Sequence, residues 1–102
     1  MQGRCLITRY KTTKAADEDL IQAFLDGILK FGVRQAQKYR DALDYVFELI
    51  ADNPRLGRRI DYSDTYRRFH HGRHVIVYSI GSDNQITIER VFHDAMDIDR
   101  YL

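Results

Sequence analysis

The chain has 102 residues, of which 44% are apolar and 30% charged, with a formal net charge of +1. That size and balance exclude a disordered polymer and suit one globular domain over residues 1–102 with a modest core. The single cysteine, Cys5, excludes an intramolecular disulfide and a cysteine-based metal site, and no apolar run approaches the ~20 residues of a membrane span. One lone cysteine and no basic-then-apolar leader point to a reducing compartment, so a cytoplasmic protein is expected. A core this small leaves little room for a deep cavity, so a shallow surface is the expected working site.

Arg4 to Tyr10 alternates and predicts a first strand. Thr12 and Thr13 are N-cap candidates for a helix carrying Ala16, Leu20, Ala23, Phe24, Ile28 and Phe31 on one stripe. Asp17, Glu18 and Asp19 suit its positive end, and Gly32 is placed to stop it. A second helix is predicted from about Val33 to Ala51, with Ala36, Tyr39, Leu43, Val46 and Ile50 as its stripe. Asp52, Asn53 and Pro54 end it, because the residue before proline disfavours the helical region. Two helices joined at a glycine predict an antiparallel hairpin.

Arg55 to Asp64 lacks periodicity and reads as a loop. Thr65 to His70, His74 to Ile80 and Gln85 to His93 read as strands, the last two joined by a turn at Gly81 to Asn84. A short helical turn is expected within Ala95 to Leu102. The order β-α-α-β-β-β predicts an α+β fold: an antiparallel sheet whose one face is packed by the N-terminal helical hairpin.

Charge is uneven along the chain. Residues 1–54 hold eight basic and eight acidic side chains, whereas Arg55, Arg58, Arg59, Arg67, Arg68 and Arg73 lie within nineteen positions beside only Asp61 and Asp64. No lysine follows Lys38. One reading of this cluster is a solvated surface. The other is a patch gripping an anion, to which the planar guanidinium fork is suited. Alternation puts Arg67 and Arg68 on opposite faces, so only part of the cluster can converge.

His70, His71 and His74 lack a carboxylate or cysteine to complete a tetrahedral set, so no metal site is expected. His93, ahead of Asp94 and Asp97, is open to two readings: a general acid or base, or a structural hydrogen bond. Tyr39, Tyr45, Tyr78, Phe24, Phe31 and Phe47 are expected mostly in the core. Tyr101 reads as a tail residue that either packs or stacks. No nucleophile motif and no phosphate-binding glycine loop is present, so no cofactor is implied.

NPRLGRR (Asn53 to Arg59), YRRFHHGRHVIVYSI (Tyr66 to Ile80) and ITIERVFHDAMD (Ile86 to Asp97), in that order, resemble the RelE/ParE toxin superfamily, and the ParE branch most. The resemblance covers essentially the whole chain, including Ala16, Asp19 and Leu20. It implies the toxin of a type II toxin–antitoxin pair, neutralised in a hetero-oligomer by a cognate ParD-like antitoxin. The ParE branch is understood to inhibit DNA gyrase, whereas RelE-like relatives cut messenger RNA on the ribosome. Target or partner contacts are then expected at Arg58, Arg59, Arg68, Arg73, Arg90 and His93. A ribonuclease reading would use Arg68 or Arg73 for the phosphorane charge and His93 or Tyr101 as acid. It lacks a convincing base, because Glu89 is the sole glutamate after Glu48, and a missing base costs on the order of 10²- to 10⁴-fold. Binding without catalysis is therefore the expected mode.

Overall fold

The computed structural model describes residues 9–60 and 65–93. Most of the first expected strand, Asp61, Asp64 and the tail with Tyr101 lie outside the described residues. Within them the order is β1 (Tyr10–Thr12), α1 (Lys14–Phe31), α2 (Val33–Asp52), β2 (Arg58–Arg59), β3 (Tyr66–His71), β4 (His74–Ile80) and β5 (Ile86–His93). No helix among the described residues is long and apolar enough to cross a membrane.

The strands form one sheet in the order β1-β5-β4-β3-β2. The expected antiparallel meander runs β3, β4, β5, and the α+β class holds. Two details differ. β1 joins β5 in parallel, so the sheet is mixed. Alternation reveals a strand but not the direction in which it pairs. The expected loop after Pro54 also contains β2, which pairs Arg58 with Arg68 and Arg59 with Arg67. Two arginines on an edge carry no apolar alternation, so this strand has no periodic signal.

β4 is central, and its first five residues are all buried, as a strand covered on both faces requires. Its even-numbered side chains Ile76 and Tyr78 join Ile86, Ile88 and Val91 of β5 against Leu20, Leu43, Phe47 and Ile50 of the helices. Its odd-numbered Val75 and Val77 pack with Phe92 and Ile60 in a smaller cluster on the opposite face. β5 contains a bulge. Val77 pairs with Arg90 but Tyr78 pairs with Ile88, leaving Glu89 as the extra residue.

Thr13 caps α1, accepting from the Ala16 N–H at 3.0 Å, and its hydroxyl also donates to the Glu89 carbonyl at 2.7 Å. Six residues later Asp19 accepts from the Val91 N–H at 2.9 Å. Side chains at the start of α1 thereby continue the edge pairing of β5 where the short β1 stops.

The α2 stripe packs as expected, with Phe47 added. The α1 stripe packs only in its first half: Ala16 and Leu20 are buried, whereas Phe31 is exposed. Tyr45 is also exposed, against expectation, because it lies off the buried stripe of α2. The remaining four expected core aromatics divide between burial, for Phe47 and Tyr78, and partial burial, for Phe24 and Tyr39.

Candidate interaction site

Two tyrosines hold the two candidate surfaces. Tyr78 projects from β4 toward the segment after α2, where its hydroxyl donates to the Pro54 carbonyl at 2.7 Å and accepts from the Gly57 N–H at 2.8 Å. Burial pushes its pKa up, opposed in part by the Gly57 hydrogen bond and the charge of Arg67. The phenol is thus held neutral, as a donor must be. Arg67 adds a bond to the Gly57 carbonyl at 2.8 Å. Gly57 fits only because it has no side chain: a Cβ there would lie 2.6 Å from the Arg68 carbonyl oxygen and 2.8 Å from the Tyr78 hydroxyl. The proline and glycine of NPRLGRR are therefore the two ends of a clamp that lays β2 along β3.

That clamp aligns the arginines. Residues paired across a ladder share a face, so Arg58, Arg68, Val77 and Arg90 form one row on the face away from the helices. Neighbouring strands lie about 4.8 Å apart, which sets the pitch of the row. Arg58 and Arg68 are exposed. Arg90 is held by Asp19 through two hydrogen bonds of 2.7 and 3.0 Å, and its guanidinium lies 4.6 Å from the centre of the Phe92 ring. Glu89, on the bulge, accepts from the Ser79 hydroxyl at 2.8 Å.

Arg59 pairs with Arg67 and so belongs to the opposite face, apart from this row. Arg73 and His93 also lie elsewhere, around a cleft of about 440 Å³ between the helical hairpin and the turn joining β3 to β4. Leu20, Phe24, Phe31, Ala36 and Leu43 give the cleft its apolar floor, and Lys30, Lys38 and Arg73 add cations around it. Tyr39 of α2 ties down the sheet side. Its hydroxyl lies 2.8 Å from His74 Nδ1, 3.0 Å from the Arg73 N–H that donates to it, and 3.3 Å from the His71 carbonyl. Gly72 has φ 56°, and a Cβ there would meet the Tyr39 hydroxyl at 2.8 Å. A two-residue loop with positive φ at its first position is the form a twisted hairpin favours. Arg73 reaches over the Phe31 ring at 5.0 Å, and the His93 and His74 rings meet edge to face at 5.6 Å.

The six expected binding residues therefore separate into a row (Arg58, Arg68, Arg90), a cleft pair (Arg73, His93) and Arg59, which faces the other way from the row. Arg68 and His93, partners in the ribonuclease reading, sit on opposite faces. Asp19, Tyr39 and Tyr78 organise both surfaces. The aromatic character of the tyrosines signalled packing alone, and Asp19 is 71 positions from its partner Arg90.

A family profile described as "ParE toxin of type II toxin-antitoxin system, parDE" matches residues 10–98. The chain belongs to the ParE toxin family. Toxin ParE1 of Mycobacterium tuberculosis is 33% identical over 96 residues, which cover 93% of this chain and 98% of that protein. Toxin ParE1 of Caulobacter vibrioides is 31% identical over 94 residues, covering 91% and 96%. A solved structure described as "Chromosomal ParDE TA system from P. aeruginosa" shares the fold with a TM-score of 0.70, at 16% identity over 82% of this chain and 92% of that one. The ParE resemblance read from the motifs is thus the correct branch. For a ParE toxin, the NPRLGRR and HHGRH segments now have structural duties: each places a glycine directly against a tyrosine hydroxyl.

Proposed function

We propose that this ParE toxin acts by binding DNA gyrase, without catalysis of its own, and that a cognate ParD-like antitoxin neutralises it. The observation that carries the noncatalytic reading is the separation of Arg68 from His93 by the thickness of the sheet. Acid–base cleavage needs its groups within hydrogen-bond reach of one reacting phosphate. Anion gripping has no such demand, and the exposed Arg58 and Arg68 of the row suit it, with Arg90 already paired to Asp19. The test is supercoiling by purified gyrase with and without the toxin. Inhibition is expected, with ribosome-bound mRNA left intact, and undiminished supercoiling at excess toxin overturns the reading.

The antitoxin reading is supported by the cleft. Its floor is apolar and its flanks carry Lys30, Lys38 and Arg73 against one acid, Asp26. This chemistry suits an amphipathic segment with acidic flanks. Co-purification with the product of the adjacent small reading frame, reduced by Arg73→Glu, is the expected result.

One observation favours a second reading, a RelE-like ribosome-dependent endoribonuclease: Arg73 and His93 do line the same cleft. Codon-positioned mRNA cleavage lost in His93→Ala would establish it.

A further inference from the structure

Along the outer side of α1, Ile21, Leu25 and Leu29 recur at i, i+4 and i+8 and are 60%, 49% and 85% exposed. Val33, just beyond the hairpin joint, is 62% exposed. The core does not use these residues, since only Ala16 and Leu20 of α1 are fully buried. A contiguous apolar ridge of this kind marks an interaction surface.

We propose that the ridge is a self-association surface on which α1 of a second copy packs antiparallel, about a two-fold axis near Leu25. The partner is argued from complementarity within this one sequence. A two-fold centred on Leu25 sets Ile21 of one copy against Leu29 of the other, and the reverse, so every large side chain of the ridge meets another. The same operation carries the exposed Glu18, seven residues before Leu25, toward the joint seven residues after it in the second copy. That joint is where α2 begins. Its first turn has no acidic side chain, Gly32 offers no side-chain cap, and Arg34 is exposed beside it. Free N–H groups, the positive helix end and a guanidinium all favour an incoming carboxylate. A parallel arrangement would instead place Glu18 against Glu18. The exposed parts of four aliphatic side chains supply roughly a few hundred Å² per copy, which places the interface among the small, transient ones. The dimer is accordingly weak and concentration-dependent. This surface is separate from both the arginine row and the cleft.

Sedimentation equilibrium of the purified full chain, from about 1 μM to several hundred μM, a range that brackets small interfaces, tests the proposal. The mass is expected to rise from one chain toward two. Leu25→Glu is expected to raise the dissociation constant at least about tenfold, with an unchanged circular dichroism spectrum because Leu25 is half exposed. Glu18→Lys and Arg34→Glu are each expected to weaken the dimer, and the two together to restore it. In a Cys5→Ser background, Leu25→Cys is expected to form a disulfide-linked dimer on oxidation, whereas Asp41→Cys is not. A monomer throughout the range overturns the proposal, as does a dimer indifferent to Leu25→Glu. Failure of the charge-swapped pair to recover overturns the antiparallel packing. Loss of antitoxin binding by Leu25→Glu in a monomeric protein assigns the ridge to the antitoxin instead, and so also overturns it.

Discussion

The Tyr78 hydroxyl accepts a hydrogen bond from the Gly57 N–H at 2.8 Å and donates one to the Pro54 carbonyl at 2.7 Å. One buried phenol thereby satisfies two backbone groups of a segment that has only a two-residue strand of its own. Removing that hydroxyl in Tyr78→Phe leaves both groups without this partner. A loss of about 1–3 kcal/mol is expected, measured as a lower denaturant midpoint. Faster amide exchange at Ile60, whose N–H pairs with the Tyr66 carbonyl, should accompany it.

Gly57→Ala attacks the same clamp by crowding. The new methyl would lie 2.6 Å from a backbone oxygen, which cannot swing aside as a side chain can. The expected cost is about 1–3 kcal/mol, read as a fall in Tm. A thermal scan unchanged from the parent would show that the segment is not held as described.

Tyr78 also gives stability a pH dependence. Its pKa is raised in the fold, mainly by burial, so the folded chain binds this proton more tightly than the unfolded chain does. The contribution is whole below the unfolded phenol pKa near 10 and is lost as pH rises from there through the folded value. Stability of the parent is expected to fall more steeply above about pH 10 than that of Tyr78→Phe, as measured by chemical denaturation at several pH values.

Asp19 and Arg90 join the first helix to the last strand. Asp19→Ala removes the partner of the Arg90 guanidinium and of the Val91 N–H together, and hydrogen bonds to charged groups are worth about 1.5–3 kcal/mol. Arg90→Lys keeps the charge but not the paired donors, so a smaller loss is expected. A double-mutant cycle with Asp19→Asn is expected to give a coupling energy clearly different from zero.

The arginine row and the cleft can be separated by substitution. Arg58→Ala and Arg68→Ala are at exposed positions and are expected to change stability by less than about 0.5 kcal/mol. If the row grips the target, each should weaken gyrase inhibition by roughly tenfold, as arginine hot spots do, and leave antitoxin affinity alone. Arg73→Ala should show the reverse. Equal effects of all three on both assays would contradict the division.

Both helices, the meander and the family were legible in the sequence because each rests on local pattern. Leu43, Val46 and Ile50 recur at helical spacing and pack as that spacing implies, and the HVIVYSI run is the doubly covered central strand. What pattern could not show was the second use of a residue. Tyr39 and Tyr78 read as packing because a ring fills space in any fold, whereas their hydroxyl partners come from segments 21 to 35 residues away. β2 escaped notice because its order derives from that clamp rather than from its own side chains. The arginines could be counted but not sorted, since pairing across strands decides which face each occupies.

The bulge at Glu89 has a consequence for β5 as a whole. Were alternation from Ile86 and Ile88 unbroken, Arg90 and Phe92 would turn toward the helices, and Val91 and His93 away from them. The single supernumerary residue reverses this parity. It delivers Arg90 to the row and His93 to the cleft, so one strand feeds both surfaces. Deleting Glu89 would leave Arg90, Val91, Phe92 and His93 opposite their present partners on a regular ladder, whereas losing the bulge with Glu89 retained would exchange the destinations of all four.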